Sequence, residues 1–261
     1  MATTAAEIQS QINACNSAGG GTVKIIPGTF IGSFNLADNV TLEGSGIGNT
    51  ILKLPDNSPQ YSCNIIAGQN TTLKNLTIDG NNISQTYPCN GIFTEKQKFT
   101  AENIEVENTI GIGIEIAAGA TYPTLKNCWV HDSSGSDVYS LGIWIGGGDT
   151  KYAEVVNCIS ENNHRDGLLL HCNSVIVKGG YYNNNGLNLG YPGANGIYVE
   201  GGQDITINSV QVFSNSAVGL SITNAKNVNV SNNISEKNNA GAGISAGRAQ
   251  SGLSRRTPTK R

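Results

Sequence analysis

Charge is scarce in this chain. Sixteen Lys and Arg and 19 Asp and Glu amount to 13% of its residues, about half the share usual in a soluble protein. The net charge is −3, and no basic stripe stands ready to neutralise phosphates. Nucleic acid and anionic membrane are therefore excluded as electrostatic partners. No apolar run approaches the ~20 residues that a membrane span requires. The six cysteines show no Cys-x-x-Cys or Cys/His spacing, which excludes the common zinc motifs. Cys128 and Cys158 share a register (Lys126-Asn127-Cys128, Val156-Asn157-Cys158) and are expected to stack as free, buried thiols. Histidine occurs three times, tryptophan twice and methionine once. Where such rare side chains gather is informative.

Glycine and asparagine are abundant instead, with 33 of each. A glycine opens a short alternating run at Gly91-Ile92, Gly113-Ile114, Gly142-Ile143, Gly167-Leu168, Gly196-Ile197, Gly219-Leu220 and Gly243-Ile244. Successive members are 22 to 29 residues apart. A second β-pattern and an Asn-rich turn follow; Val155–Asn163 and Val230–Asn238 read almost alike. Self-similarity at this period without a helical pattern means a stacked β-solenoid, one turn per repeat. Residues at equal offsets from each glycine then form columns, about 4.8 Å between rungs. Gly and Asn suit the tight turns because both tolerate positive φ.

Ile8, Ile12 and Cys15 stand at helical spacing, with Thr4 as N-cap and Glu7 three residues later, the pattern of a capping box. A helix over about 4–18 would cover the open end of the solenoid. The solenoid domain is expected over 1–246. Two stretches overrun the period, 118–124 with 132–141, and 181–194; such excess forms loops, often on a binding face. From 247 to 261 the pattern is lost, and a disordered basic tail is expected there. The chain opens on polar sequence without a leader-like run.

The segment Ile8–Ala18, the glycines 19–21 and Thr22-Val23-Lys24-Ile25-Ile26-Pro27-Gly28 resemble the opening of the pectate-lyase superfamily. The Gly-Ile/Leu repeats from 91 to 244 are similar to its turns. The resemblance implies an all-β, single-stranded right-handed parallel β-helix with a short N-terminal capping helix. It implies an extracellular or virion-associated protein with a polysaccharide or oligosaccharide partner. The oligomeric state is left open. Activity is not implied by fold alone, because the superfamily includes lyases, hydrolases, epimerases and phage tailspikes. Within it, Asp166-Gly167 and His164-Arg165 resemble elements of mannuronan epimerases. The Tyr-Gly-Phe-Asp-Pro-His motif of those enzymes is absent, its nearest counterpart being Tyr139-Ser140-Leu141-Gly142-Ile143-Trp144. The Gly-His-Gly motif of polygalacturonases is absent too.

The columns nominate the site. One residue past each glycine the chain is uniformly apolar and faces the core. Two residues past it stand Phe93, Glu115, Trp144, Leu169, Tyr198, Ser221 and Ser245, which therefore face out. An outward aromatic column suits the C–H faces of sugar rings; a loop covering it as a second small core is the competing reading. Phe93, Glu115, Trp144, Tyr198 and Lys151 are the substrate-binding candidates. Four residues past the glycine, His171 and Glu200 fall on successive turns, placed for general acid–base work or for an ordinary ion pair. His164, Arg165 and Asp166 precede Gly167. Arg can neutralise a uronate carboxylate and acidify the adjacent C–H, whereas a plain polar turn would use Asp166 to cap backbone N–H groups. Tyr139 joins from a neighbouring loop as a proton donor. The catalytic candidates are thus His164, Arg165, Asp166, His171, Glu200 and Tyr139. His131-Asp132 falls on another face and reads as structural. Calcium-dependent lyases cluster carboxylates; Asp137, Asp149, Asp166 and Glu200 lack such spacing, so no metal ligand is assigned and Ca2+ stays open as a cofactor.

These features point to action on an acidic, uronate-containing polysaccharide, by a lyase that abstracts the proton next to the carboxylate. The alternatives are a non-catalytic glycan-binding or structural β-helix of a surface or phage tail protein, a glycoside hydrolase using Asp166 and Glu200, and a uronate epimerase.

Overall fold

The structure is a computed structural model that describes residues 1–135, 140–186, 193–239, 243–247 and 254–256. Its strands pair in parallel throughout. One wall of the solenoid is a nine-stranded sheet built from Phe34–Leu36, Cys63–Ala67, Asn90–Thr94, Ile114–Ile116, Ile143–Lys151, Leu168–Asn173, Ile197–Glu200, Leu220–Thr223 and Ile244–Gly247. The remaining walls form a 17-stranded sheet. The strands are short because every rung must turn a corner after three to nine residues.

The core column follows the glycine register. Ile92, Ile114, Ile143, Leu168, Ile197, Leu220 and Ile244 pair in sequence up the nine-stranded sheet. The first six are fully buried and Ile244 is half-buried. Burying each such side chain stabilises the fold by roughly 1.5–3 kcal/mol.

The repeating glycine is needed for a different reason from the one that composition suggests. At Gly142 and Gly167 φ is not in the left-handed region; there is simply no space for a side chain. A Cβ on Gly167 would lie 2.7 Å from Asn185 Nδ2 and 2.8 Å from the Gly196 carbonyl oxygen. A Cβ on Gly142 would overlap Ser160 Oγ and approach Asn163 Nδ2 to 2.6 Å. The obstacle is a buried amide ladder. Asn163 Nδ2 donates to Asn185 Oδ1 at 3.1 Å, Asn185 Nδ2 to Asn215 Oδ1 at 3.0 Å, and Asn215 Nδ2 to Asn238 Oδ1 at 2.9 Å. The positive-φ corners belong to asparagine instead. Asn75, Asn103 and Asn127 have φ of 58°, 53° and 51° and link Nδ2 to Oδ1 rung by rung.

The N-terminal helix spans Ala5–Ser17. Thr4 Oγ1 accepts from the Glu7 N–H at 3.2 Å. The Glu7 carboxylate reaches past the cap residue and accepts from Thr3 N and Oγ1 at 2.8 and 2.6 Å. Ile8 and Ile12 are fully buried over the first rung, and Ala2 bridges to Ile25. This seals one end of the sheet against edge pairing. Near the other end, Ser254–Arg256 pairs in parallel with Asn229–Ser231. A strand thus occurs inside the segment whose sequence reads as a disordered tail; 248–253 and 257–261 lie outside the described residues.

Candidate active site

The nine-stranded sheet carries the expected outward column in register: Phe93, Glu115, Trp144, Leu169, Tyr198, Ser221 and Ser245. The column is less open than its sequence implies. Leu169 is 9% exposed and, with Ile112 and Leu141, makes a small second cluster on which Trp144 and Tyr198 pack. Leu141, at the end of the long stretch over 132–141, is part of this cover. A small second core thus lies beneath the column, and the half-buried Trp144 and Tyr198 form its rim.

Glu115 sits between Phe93 and Trp144. It is half-buried, and Asn90 Nδ2 donates to its Oε2. Burial raises its carboxyl above the usual carboxylate range. Tyr198 is oriented by Thr223, the two hydroxyls being 3.2 Å apart.

His171 lies on the rung after Trp144, paired with Gly146. It is exposed, with its ring alongside Gly201, where an added Cβ would meet Cδ2 and Nε2 at 3.8 Å. A Cβ on Gly146 would come within 2.7 Å of Trp144 Nε1 and 2.9 Å of His171 Cβ. The glycine is what lets the indole and the imidazole stand together. Glu200 is exposed on the next rung, but neither a hydrogen bond nor an ion pair joins it to His171. The expected His171–Glu200 pair thus forms neither bond, and both side chains are exposed.

His164, Arg165 and Asp166 form the corner that leads into Gly167, at the opposite edge of the same strand. His171 lies about 13 Å further along, four residues at strand rise. Asp166 is 1% exposed; its Oδ1 accepts from both Asn195 N and Asn195 Nδ2 at 2.7 Å. Its Oδ2 lies 3.6 Å from Arg165 Nη2. Burial raises the Asp166 pKa, and the Asn195 bonds and the Arg165 charge oppose that shift. Asp166 thus does what a capping turn residue does, tying one rung to the next. Burial, and then the charge of Arg165, lower the His164 pKa. Arg165 keeps only 20% of its side chain exposed. The corner and His171 share one rung yet flank the platform from opposite sides, rather than converging on one point as their sequence proximity suggests. Tyr139 and Asp137 lie outside the described residues.

Among the described residues, the carboxylates considered for a cation, Asp149, Asp166 and Glu200, do not gather. Asp149 and Glu200 are exposed, and Asp166 is turned to Asn195. Among the described residues, one group brings three possible ligand atoms within 4.8 Å: Glu105, Glu107 and His131, on the 17-stranded sheet. There His131 Nδ1 lies 2.7 Å from Asp132 Oδ2, Nε2 lies 3.5 Å from Glu105 Oε1, and the ring stacks on Trp129 at 4.2 Å. Burial and the nearby charges of Glu105 and Asp79 raise the Glu107 pKa. His131-Asp132 lies away from the groove, as its register implies.

The cysteines are free and five of them are buried, Cys128 and Cys158 among them. Burial pushes the Cys63 and Cys172 thiols to about 12, too high for nucleophilic work at neutral pH.

Several site-shaping residues escaped the sequence reading. Asn90 and Thr223 orient Glu115 and Tyr198, and Ile112 and Leu141 support the platform. Gly146 carried a visible signal, since it replaces a larger residue four places after a register glycine.

The fold defines the class, a pectate-lyase-like right-handed parallel β-helix. Residues 132–254 match the family described as "Right handed beta helix region". Two curated relatives come from Azotobacter vinelandii. Mannuronan C5-epimerase AlgE6 is 31% identical over 54% of this chain and 18% of its own length. Alginate lyase 7 is 27% identical over 62% of this chain and 21% of its own length. The chain therefore spans about a fifth of each. The solved A-module of AlgE6, from the same organism, superposes with a TM-score of 0.72 at 23% identity, covering 94% of this chain and 74% of that module.

Proposed function

We propose that the protein acts on a uronate-containing polysaccharide by removing the proton on the carbon next to the carboxylate, as a lyase. The observation that carries this reading is His171: an exposed imidazole held between Gly146 and Gly201, beside the Trp144 platform. The relatives named as an epimerase and a lyase support the substrate class, since both activities begin with that proton.

In this reading Trp144 stacks on the sugar ring and His171 takes the C5 proton. Lys151, on the neighbouring rung in register with Asn173, two residues past His171, neutralises the carboxylate of the reacting sugar. Neutralisation lets the carboxylate hold the electron pair released at C5. That pair then forms the C4=C5 bond, the C4–O bond breaks, and the leaving oxygen collects a proton from Tyr198. The Tyr198 and His171 Cα atoms are about 8 Å apart by rung height and strand rise, so both side chains reach one sugar. Arg165, across the platform, engages the carboxylate of a neighbouring sugar. Glu115 hydrogen-bonds a sugar hydroxyl.

The test is incubation with polymannuronate in deuterated water. The ultraviolet absorbance of a new C=C–carboxylate supports the lyase, whose product has no hydrogen left at C5. Deuterium at C5 without that absorbance makes the protein an epimerase. His171→Ala should abolish whichever signal the wild type gives. Polymer binding with neither signal in the wild type would instead identify a non-catalytic glycan-binding β-helix.

A further inference from the structure

One corner of the solenoid departs from its own rule. Asn39, Asn70, Lys98, Tyr122, Tyr152, Ser174, Asp204 and Asn227 occupy the same corner on successive rungs, all left-handed with φ between 51° and 61°. Backbone bonds link its middle: Lys98 N donates to Thr121 O, Tyr122 N to Lys151 O and Tyr152 N to Asn173 O. At both ends the column is an amide ladder. Asn70 Nδ2 donates to Asn39 Oδ1 at 2.9 Å, and Asn227 Nδ2 to Asp204 Oδ1 at 3.0 Å. Asn and Asp are the side chains that tolerate this backbone. The two middle rungs carry tyrosines instead, for which positive φ is a genuine outlier. Tyr122 also precedes Pro123, which disfavours it further.

The departure is not explained by burial. Tyr122 and Tyr152 are 55% and 45% exposed. Their rings stack face to face, centroids 4.8 Å apart and planes 17° apart. Lys151 Nζ stands 5.7 Å from the Tyr152 ring centre, and Lys98 is exposed at the same corner one rung before Tyr122. Among the described residues neither lysine enters an ion pair, whereas nearby Lys96 and Lys126 are paired with Glu95 and Glu102. Backbone strain maintained at exposed aromatics flanked by unpaired cations points to a ligand rather than to packing.

The position is also telling. Tyr122 and Tyr152 belong to the rungs of Glu115 and Trp144. Lys151 is in register with Asn173, two residues past His171. A chain lying along the strands from Trp144 past His171 runs onto this corner.

We propose that Tyr122 and Tyr152, with Lys98, form an outlying binding ledge for an acidic sugar chain, extending the site beyond His171 and Lys151. This rests on the functional reading above. The ring faces and edges meet sugar C–H groups, and the Lys98 ammonium meets a carboxylate. The ledge holds the part of a long chain that has passed the reacting sugar, so it contributes for polymers and not for oligomers that only fill the groove.

The column supplies its own control, because asparagine is what the same corner uses elsewhere. The double variant Tyr122→Asn/Tyr152→Asn should keep the thermal midpoint of the wild type or exceed it. Its affinity for polymannuronate should fall on the order of tenfold, the factor expected for two lost aromatic contacts. Its affinity for a short mannuronate oligomer should not change. Trp144→Ala, measured in parallel, should weaken both ligands. A double variant that binds the polymer as tightly as wild type overturns the ledge, and so does a lowered midpoint with unchanged binding. A wild-type protein that retains neither ligand removes the functional reading as well.

Discussion

Gly167→Ala tests whether the repeating glycine is a steric requirement. The backbone at Gly167 is not left-handed, so alanine meets no conformational penalty there. The added Cβ would lie 2.7 Å from Asn185 Nδ2, 2.8 Å from Gly196 O and 3.2 Å from Ser160 O. The Gly196 carbonyl is fixed because it accepts from the Leu168 N–H at 3.0 Å. The amide must therefore give way, and Asn185 Nδ2 also donates to Asn215 Oδ1 and Ser160 O at 3.0 and 3.3 Å. Overpacking of this kind costs about 1–3 kcal/mol. A buried acceptor left without its donor costs about 1–3 kcal/mol more. Together they give about 4 kcal/mol, a fall in midpoint on the order of 10 °C for a chain of this size. Thermal and urea unfolding followed by circular dichroism measure it. Ile176→Ala, at an outward position 49% exposed, should change stability by less than about 1 kcal/mol and serves as the control. A Gly167→Ala midpoint indistinguishable from that control would refute the steric account.

Two further outcomes follow from the groove. Burial raises the Glu115 pKa, so its folded form keeps a proton that the unfolded chain releases. Glu115 therefore favours folding below the ordinary carboxylate range, near pH 4.3, and that contribution is lost as pH rises through its raised value. Glu115→Gln should match wild type in acid and exceed its midpoint near neutrality; a difference independent of pH would remove burial as the cause. Trp144→Ala should weaken mannuronate oligomer binding on the order of tenfold and also lower the midpoint, since the indole packs on Ile112, Leu141 and Leu169; calorimetric titration and melting measure the two, and a lowered midpoint with full binding would leave the indole a purely structural part.

The fold was legible because its signal is periodic. Each register glycine announced the apolar residue after it, and six of those seven side chains are fully buried. The outward column was legible by the same arithmetic, though not the small cluster beneath Trp144, because Leu141 arrives from a loop whose path no period describes. The corner at 164–166 shows the limit most clearly. His164, Arg165, Asp166 and His171 are adjacent on paper, but a strand separates its ends at about 3.3 Å per residue, so nearness in sequence became distance along the sheet. Asp166 was open to two readings, and only Asn195, on the next rung, shows what its Oδ1 holds. Of the tyrosine corner, Tyr122 falls in the overlong stretch 118–124 and Tyr152 in none, and the significance of both depends on φ values, which spacing does not disclose.

The glycine register has a consequence for how such a groove can change. Each rung contributes one residue to every column, so distances along the axis come only in whole steps of about 4.8 Å. Duplicating a rung between Gly167 and Gly196 would carry Tyr198 one step away from Trp144 while leaving each residue's own support intact. Changes within a rung act along the strands and changes in rung number act along the solenoid axis. The span of one rung and the number of rungs that flank it are, in this architecture, separately adjustable.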